Sequence, residues 1–149
     1  MPKTFTFTDS TGDAWEITSG YQTLQAIEQE LGVSFADSEQ TPALMRIVTD
    51  WLFAYQAVEI ACRQQREDRG LSAEDFSDRI AGDTLADAQR GLVDAVIEFL
   101  PWKEKREATR ETVRQIQAAD KLMAEQASKR LADLDLDKLT DDMIAATRS

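Results

Sequence analysis

A mostly α fold is what the order of hydrophobic periods in this chain predicts: an N-terminal β-hairpin, a small helical domain and a C-terminal helical extension. Three observations carry that expectation. Alternation with a period of two is confined to the first 18 residues, and later segments repeat apolar residues at i, i+3 and i+4. Pro101 then closes the last strongly apolar segment, and the sequence beyond it is dense in charge.

The hairpin comes first. Thr4, Thr6 and Thr8 alternate with Phe5 and Phe7, Asp9-Ser10-Thr11-Gly12-Asp13 is a turn sequence, and Ala14 to Thr18 alternates again. Two strands alone are marginal, so the phenylalanines and Trp15 or Ile17 must bury against something else. Helix packing is the simpler account, with an intermolecular sheet as the alternative. Tyr21, Leu24, Ile27 or Glu28, and Leu31 then fall at helical spacing, with Gly32 as a stop. Val33 and Phe35 follow and are placed to cover the end of that helix.

The strongest core candidate is one long helix from Thr41 to about Gln65, with Thr41 as cap and Pro42 in the first turn, where proline is tolerated. Leu44, Ile47 or Val48, Trp51, Tyr55, Val58 and Cys62 form its stripe, and Leu52, Phe53 and Ile60 widen it. So broad an apolar surface implies contact from more than one side. Ser72 starts a shorter helix, with Asp75 completing a capping-box variant and Phe76 and Ile80 facing inward. The next helix covers roughly Leu85 to Leu100, with Leu85, Ala88, Leu92, Val96 and Phe99 on one side. Pro101 disfavours helix at Leu100, which places a domain boundary at 101–103, between 1–101 and 102–149. From Trp102 to about Leu131 the helix has only a narrow stripe: Val113, Ile116, Ala119, Met123, Ala127 and Leu131. After the run Leu134 to Leu139, Thr140 can cap a last short helix containing Met143 and Ile144.

Composition narrows the chemistry. The chain of 149 residues has no histidine, one cysteine (Cys62), and 28 acidic against 17 basic residues, for a net charge of −11. His-based acid–base catalysis, His–Cys zinc sites and Cys–His nucleophile pairs are therefore excluded. One cysteine cannot form an intramolecular disulfide, so no oxidising compartment is needed. No apolar run approaches the ~20 residues that span a bilayer, and MPKTFTFTD has no apolar signal core. A cytoplasmic location is expected. The net charge also opposes nonspecific attraction to nucleic acid or anionic membranes.

Carboxylates are the remaining chemical candidates. Asp83, Asp87, Asp94 and Glu98, with Arg90, lie opposite the apolar side of their helix, where a solvated face supplies nothing to shift a pKa. Asp133, Asp135 and Asp137 begin like a calcium loop, but Lys138 takes the glycine position and Ile144 that of the bidentate glutamate. Cys62 lies on an inward stripe and reads as a small buried hydrophobe. The six glycines form no phosphate loop. No catalytic residue, metal site or cofactor is expected. Arg106, Arg110 and Arg114 form a basic ridge interleaved with Glu104, Glu107 and Glu111, which can pair with it at i,i+3 and i,i+4. A self-paired surface helix is the preferred reading, ahead of docking to an acidic protein surface and then nucleic acid. Trp102, beside Pro101, either locks the extension onto the domain or anchors a partner.

The hairpin Thr4–Thr18, the helix containing Leu24 to Phe35, the aromatic segment Trp51-Leu-Phe-Ala-Tyr55, Leu71-Ser-Ala-Glu-Asp-Phe76 and the final helix ending Phe99-Leu-Pro101 follow one another in an order that resembles the tail assembly chaperones of long-tailed bacteriophages and prophages. Ile27–Gly32 and Leu71–Phe76 are similar to an "LEEELG"-like helix and an "LT-x-E-x-h" helix start that recur in that family. The resemblance covers roughly residues 4–101, and it lies in helix order rather than in a chemical motif. It implies a non-enzymatic partner of the tape measure protein, keeping that helical protein soluble while tail tube protein is recruited. Such a protein works in the bacterial host cytoplasm and is absent from the mature virion.

The expected partners are thus a structural protein client, foremost the tape measure protein, then tail tube protein and further copies of the chain; nucleic acid and membrane are not expected. An acidic holdase that presents an apolar groove to a helical client agrees with the composition. The residues expected at the contact are Trp51, Leu52, Tyr55 and Trp102, with Arg106 and Arg110, although a buried core would also explain the first three. The main alternative is a structural adaptor retained in a phage particle or complex. A regulator acting on nucleic acid through the Arg106–Arg114 ridge is a third class.

Overall fold

Strand β1 (Thr4–Thr8) pairs antiparallel with β2 (Ala14–Thr18), with Phe5 opposite Ile17 and Phe7 opposite Trp15, in the computed structural model of the protein. The structure describes residues 3–35 and 42–147. The period-two alternation puts Phe7, Trp15 and Ile17 on one buried face, while the threonines of both strands stay exposed. That face packs on helices rather than on another sheet, as the simpler account expects.

Six helices follow among the described residues: α1 (Tyr21–Leu31), α2 (Pro42–Thr49), α3 (Trp51–Asp68), α4 (Ala73–Ile80), α5 (Asp83–Phe99) and α6 (Lys103–Thr147). The mostly helical fold behind an N-terminal hairpin is therefore as the sequence predicts. The chain divides into two units, Met1–Val113 and Arg114–Ser149. In the first, α3 and α5 run beneath the hairpin, α1 packs on α3, α2 on both α3 and α5, and α4 on α5. Leu24, Ile27, Leu44, Ile47, Phe53, Val58, Phe76, Ile80, Leu92 and Val96 fill the space between them. Pro101 lies between α5 and α6, and the first unit extends past it through the opening turns of α6.

Two expectations about helix limits are corrected. The single helix from Thr41 to Gln65 is two helices. Asp50 leaves the helical region (φ −114°, ψ 99°), and its carboxylate accepts hydrogen bonds from the Leu52 and Phe53 amides, at 3.1 Å each. It is an N-cap set inside an apolar run, so it restarts the helix and rotates its face. Phe53, Ala54, Ala57, Val58 and Cys62 become the buried side of α3, and Trp51 turns outward. Thr41 lies outside the described residues. At the other end there is no break after Leu131, because α6 runs unbroken to Thr147 and Thr140 lies inside it. Nothing in Leu134–Leu139 is a glycine or proline, and without a breaker the helix continues.

The remaining signals act as expected. Gly32 ends α1 in the left-handed region (φ 66°), which favours glycine. Ser72 Oγ accepts from the Asp75 amide at 3.0 Å to start α4. Gly82 turns the chain between α4 and α5 at φ 72°, and α5 starts at Asp83, two residues before the expected Leu85.

Candidate protein-binding grooves

The restart at Asp50 exposes apolar surface. Trp51 is 67% exposed and Leu52 54%, large values for such side chains in the first turn of a helix tied into the core. Tyr55, one turn on, is half-buried, with its ring 6.5 Å from that of Phe76. Across from them stand Leu85, Ala86 and the Gly82 turn, and together they border a groove of about 550 Å³. Its floor is held in place by Gln89, whose side-chain amide donates to the carbonyls of Ile47 and Val48 and so ties α5 to the end of α2. Of the residues expected to bind a partner, this groove gathers Trp51, Leu52 and Tyr55.

Trp102 belongs to a second groove, of about 330 Å³, bordered by Tyr21 and Phe35 on one side and Phe99, Leu100 and Lys105 on the other. Trp102 is 70% exposed, and its backbone is left-handed (φ 61°), uncommon for a bulky side chain and worth about 1–3 kcal/mol of local strain. That conformation turns the chain from Pro101 into α6, where the Trp102 carbonyl accepts from the Arg106 amide at 3.1 Å. On the facing side the Glu28 carboxylate accepts from the Phe35 amide at 2.8 Å, fixing the segment after α1. The two grooves use opposite halves of α5, Leu85–Gln89 and Val96–Leu100, whose facing ends are about 10 Å apart along a helix rising 1.5 Å per residue. The expected contact residues therefore form no single site.

Arg106 and Arg110 border neither groove. Arg106 Nη1 donates to the Leu100 carbonyl at 2.9 Å, closing the α5–α6 turn, and Arg110 pairs with Glu98 at 3.3 Å. The acids expected on the solvated face of α5 border neither groove as well. Asp94 is half-buried, and burial raises its carboxyl pKa against the opposing pull of Arg110 and Arg90. Glu98 is held below the ordinary carboxylate range, chiefly by its hydrogen bond with Lys3. Cys62 is buried, and burial pushes its thiol up to about 12, far from a reactive thiolate. Among the described residues no three His, Cys, Asp or Glu side chains are grouped to hold a metal ion, and no helix is long and apolar enough to cross a membrane.

The polar centre that sequence reasoning passed over is Asp9. Its side chain is shut off from solvent at the end of the hairpin. Oδ2 accepts from the Trp15 indole at 2.8 Å, and Oδ1 from the Thr11 amide at 2.8 Å, the Thr11 hydroxyl at 2.7 Å and the Asp13 amide at 3.1 Å. Burial alone would raise its pKa, but these donors outweigh it and hold the carboxyl well below the usual range. Asp-x-Thr-Gly before a buried tryptophan was the available signal, although its role is to build the hairpin and not to react. The same sequence reading also passed over Tyr21, Phe35 and Phe99 as groove residues, since each fits a core stripe equally well. No protein-family model matches the chain, and no curated protein or solved structure is significantly similar to it.

Proposed function

We propose that this chain is a non-enzymatic chaperone of phage tail assembly that holds a helical segment of the tape measure protein in the groove between α3 and α5. The observation that carries the reading is the outward placement of Trp51 and Leu52 on a capped, core-anchored helix beside that groove. Aromatic anchors on a rigid element are what a helix-in-groove contact uses. The net charge of −11 supports it, because a holder of aggregation-prone clients gains from a strongly charged surface. The tail-assembly part of the proposal rests on the order of the elements over residues 4–101. On this reading the protein works in the host cytoplasm and leaves the finished particle.

The test is co-expression with the tape measure protein of the same genome, followed by size-exclusion chromatography of the soluble fraction. Co-elution is expected, with the client insoluble when expressed alone. Trp51→Ala should abolish co-elution while shifting stability by less than about 0.5 kcal/mol, as for an exposed side chain. A folded chain that leaves the client insoluble overturns the proposal, and recovery of the chain in purified virions would establish the adaptor reading instead.

A further inference from the structure

The hairpin has one edge blocked at its centre and one open edge. On the β2 side, the Glu16 amide donates to Gln65 Oε1 at 3.0 Å and the Gln65 amide donates to the Glu16 carbonyl at 2.6 Å. Arg69 covers the Ala14 carbonyl at 2.7 Å. Because both Glu16 backbone groups point away from β1, the Thr6–Glu16 pair is a non-hydrogen-bonded one. The backbone groups of Thr6, and by the period of two those of Thr4 and Thr8, therefore point outward from the free side of β1. Among the described residues no hydrogen bond reaches the amides or carbonyls of these three threonines, and all three are exposed. The usual protections of an edge are missing here too, as Thr4–Thr8 contains no charge and no proline.

We infer that β1 pairs antiparallel with β1 of a second copy of this chain, about a two-fold axis through Thr6, joining two hairpins into a four-stranded sheet. The strand reads Thr-Phe-Thr-Phe-Thr in either direction, so this register is self-complementary. Thr6 meets Thr6 and Thr4 meets Thr8, each as a hydrogen-bonded pair. The phenylalanines stay on the buried face and the threonines form cross-strand pairs on the solvent face. Two five-residue edges bury less than a standard interface, and the dimer is therefore expected to be reversible. The inference is independent of the client reading, since its test contains no client.

Sedimentation equilibrium of the full chain over a wide concentration range should show a monomer–dimer equilibrium. Thr6→Pro removes an outward amide without touching the in-chain ladder, and proline is tolerated on such an edge. It should leave a monomer with the wild-type unfolding midpoint. Thr6→Cys supplies the second readout, because facing Cα atoms in a hydrogen-bonded pair lie about 5.5 Å apart, within disulfide reach. With oxidised glutathione as oxidant it should cross-link far faster than Thr18→Cys on the opposite strand, while buried Cys62 stays silent. A chain that remains monomeric throughout, a folded Thr6→Pro that dimerises like wild type, or cross-linking of Thr6→Cys no faster than of Thr18→Cys would overturn the inference.

Discussion

Asp9 joins three things at once: a tight turn, a buried indole and a cation on α4. The Trp15 ring it holds is fully buried, edge-on to Phe76 at 4.9 Å and beneath the Arg69 guanidinium at 4.1 Å, while Arg79 Nη1 stands 3.5 Å from Asp9 itself. Asp9→Ala leaves the indole N–H unsatisfied in the core and should cost about 2–4 kcal/mol in urea denaturation. The sign of the pH dependence follows from the depressed pKa. Stability from this group is complete above the unfolded-state pKa of about 4 and is lost as pH falls below it. Asp9→Asn should therefore be less stable than wild type at pH 7, and the gap should narrow in unfolding curves taken at progressively lower pH.

At the scale of the element the sequence was most readable in the hairpin and the short helices, and it misled at two helix limits. Thr4–Thr18, Tyr21–Gly32 and Ser72–Ile80 were legible because periodicity and end signals agree in each: alternation around a turn, a glycine stop, a serine cap. The α2–α3 break was not, since Asp50 is a polar residue inside an apolar run and only its backbone angles distinguish a cap from a surface aspartate. From that one omission came the misplacement of Trp51 on an inward stripe. The facing walls of the two grooves were hidden for a related reason: Tyr21, Leu85 and Phe99 sit at core-like spacing, and only the packing of neighbouring helices decides which end of a stripe stays uncovered. Asp50→Ala tests the restart directly. Losing both cap bonds should cost about 1 kcal/mol by thermal or urea unfolding, with the damage concentrated in faster amide exchange at Leu52 and Phe53.

At the scale of the molecule, the sequence boundary at Pro101 and the compact unit ending at Val113 make different predictions for truncation. Residues 102–113 bring buried Val113, the Arg106 bond to the Leu100 carbonyl and the Arg110–Glu98 pair to the first unit. A fragment ending at Val113 should unfold cooperatively with near wild-type hairpin and core. A fragment ending at Pro101 should be less stable by about 2–3 kcal/mol, the burial of one valine together with a carbonyl bond. Equal midpoints for the two fragments would place the structural limit at Pro101 after all.

The Gln65 seal on β2 has a consequence for growth. A hairpin with two open edges is a monomer in the chemist's sense of polymer formation: each addition exposes a fresh edge, and chains of sheet can extend without limit. With one side occupied by a side-chain amide that copies the backbone pattern, the hairpin can accept a strand once only. A second hairpin joining through its own β1 would turn its Gln65-blocked β2 edge outward, so the sheet stops at four strands and does not seed a fibre.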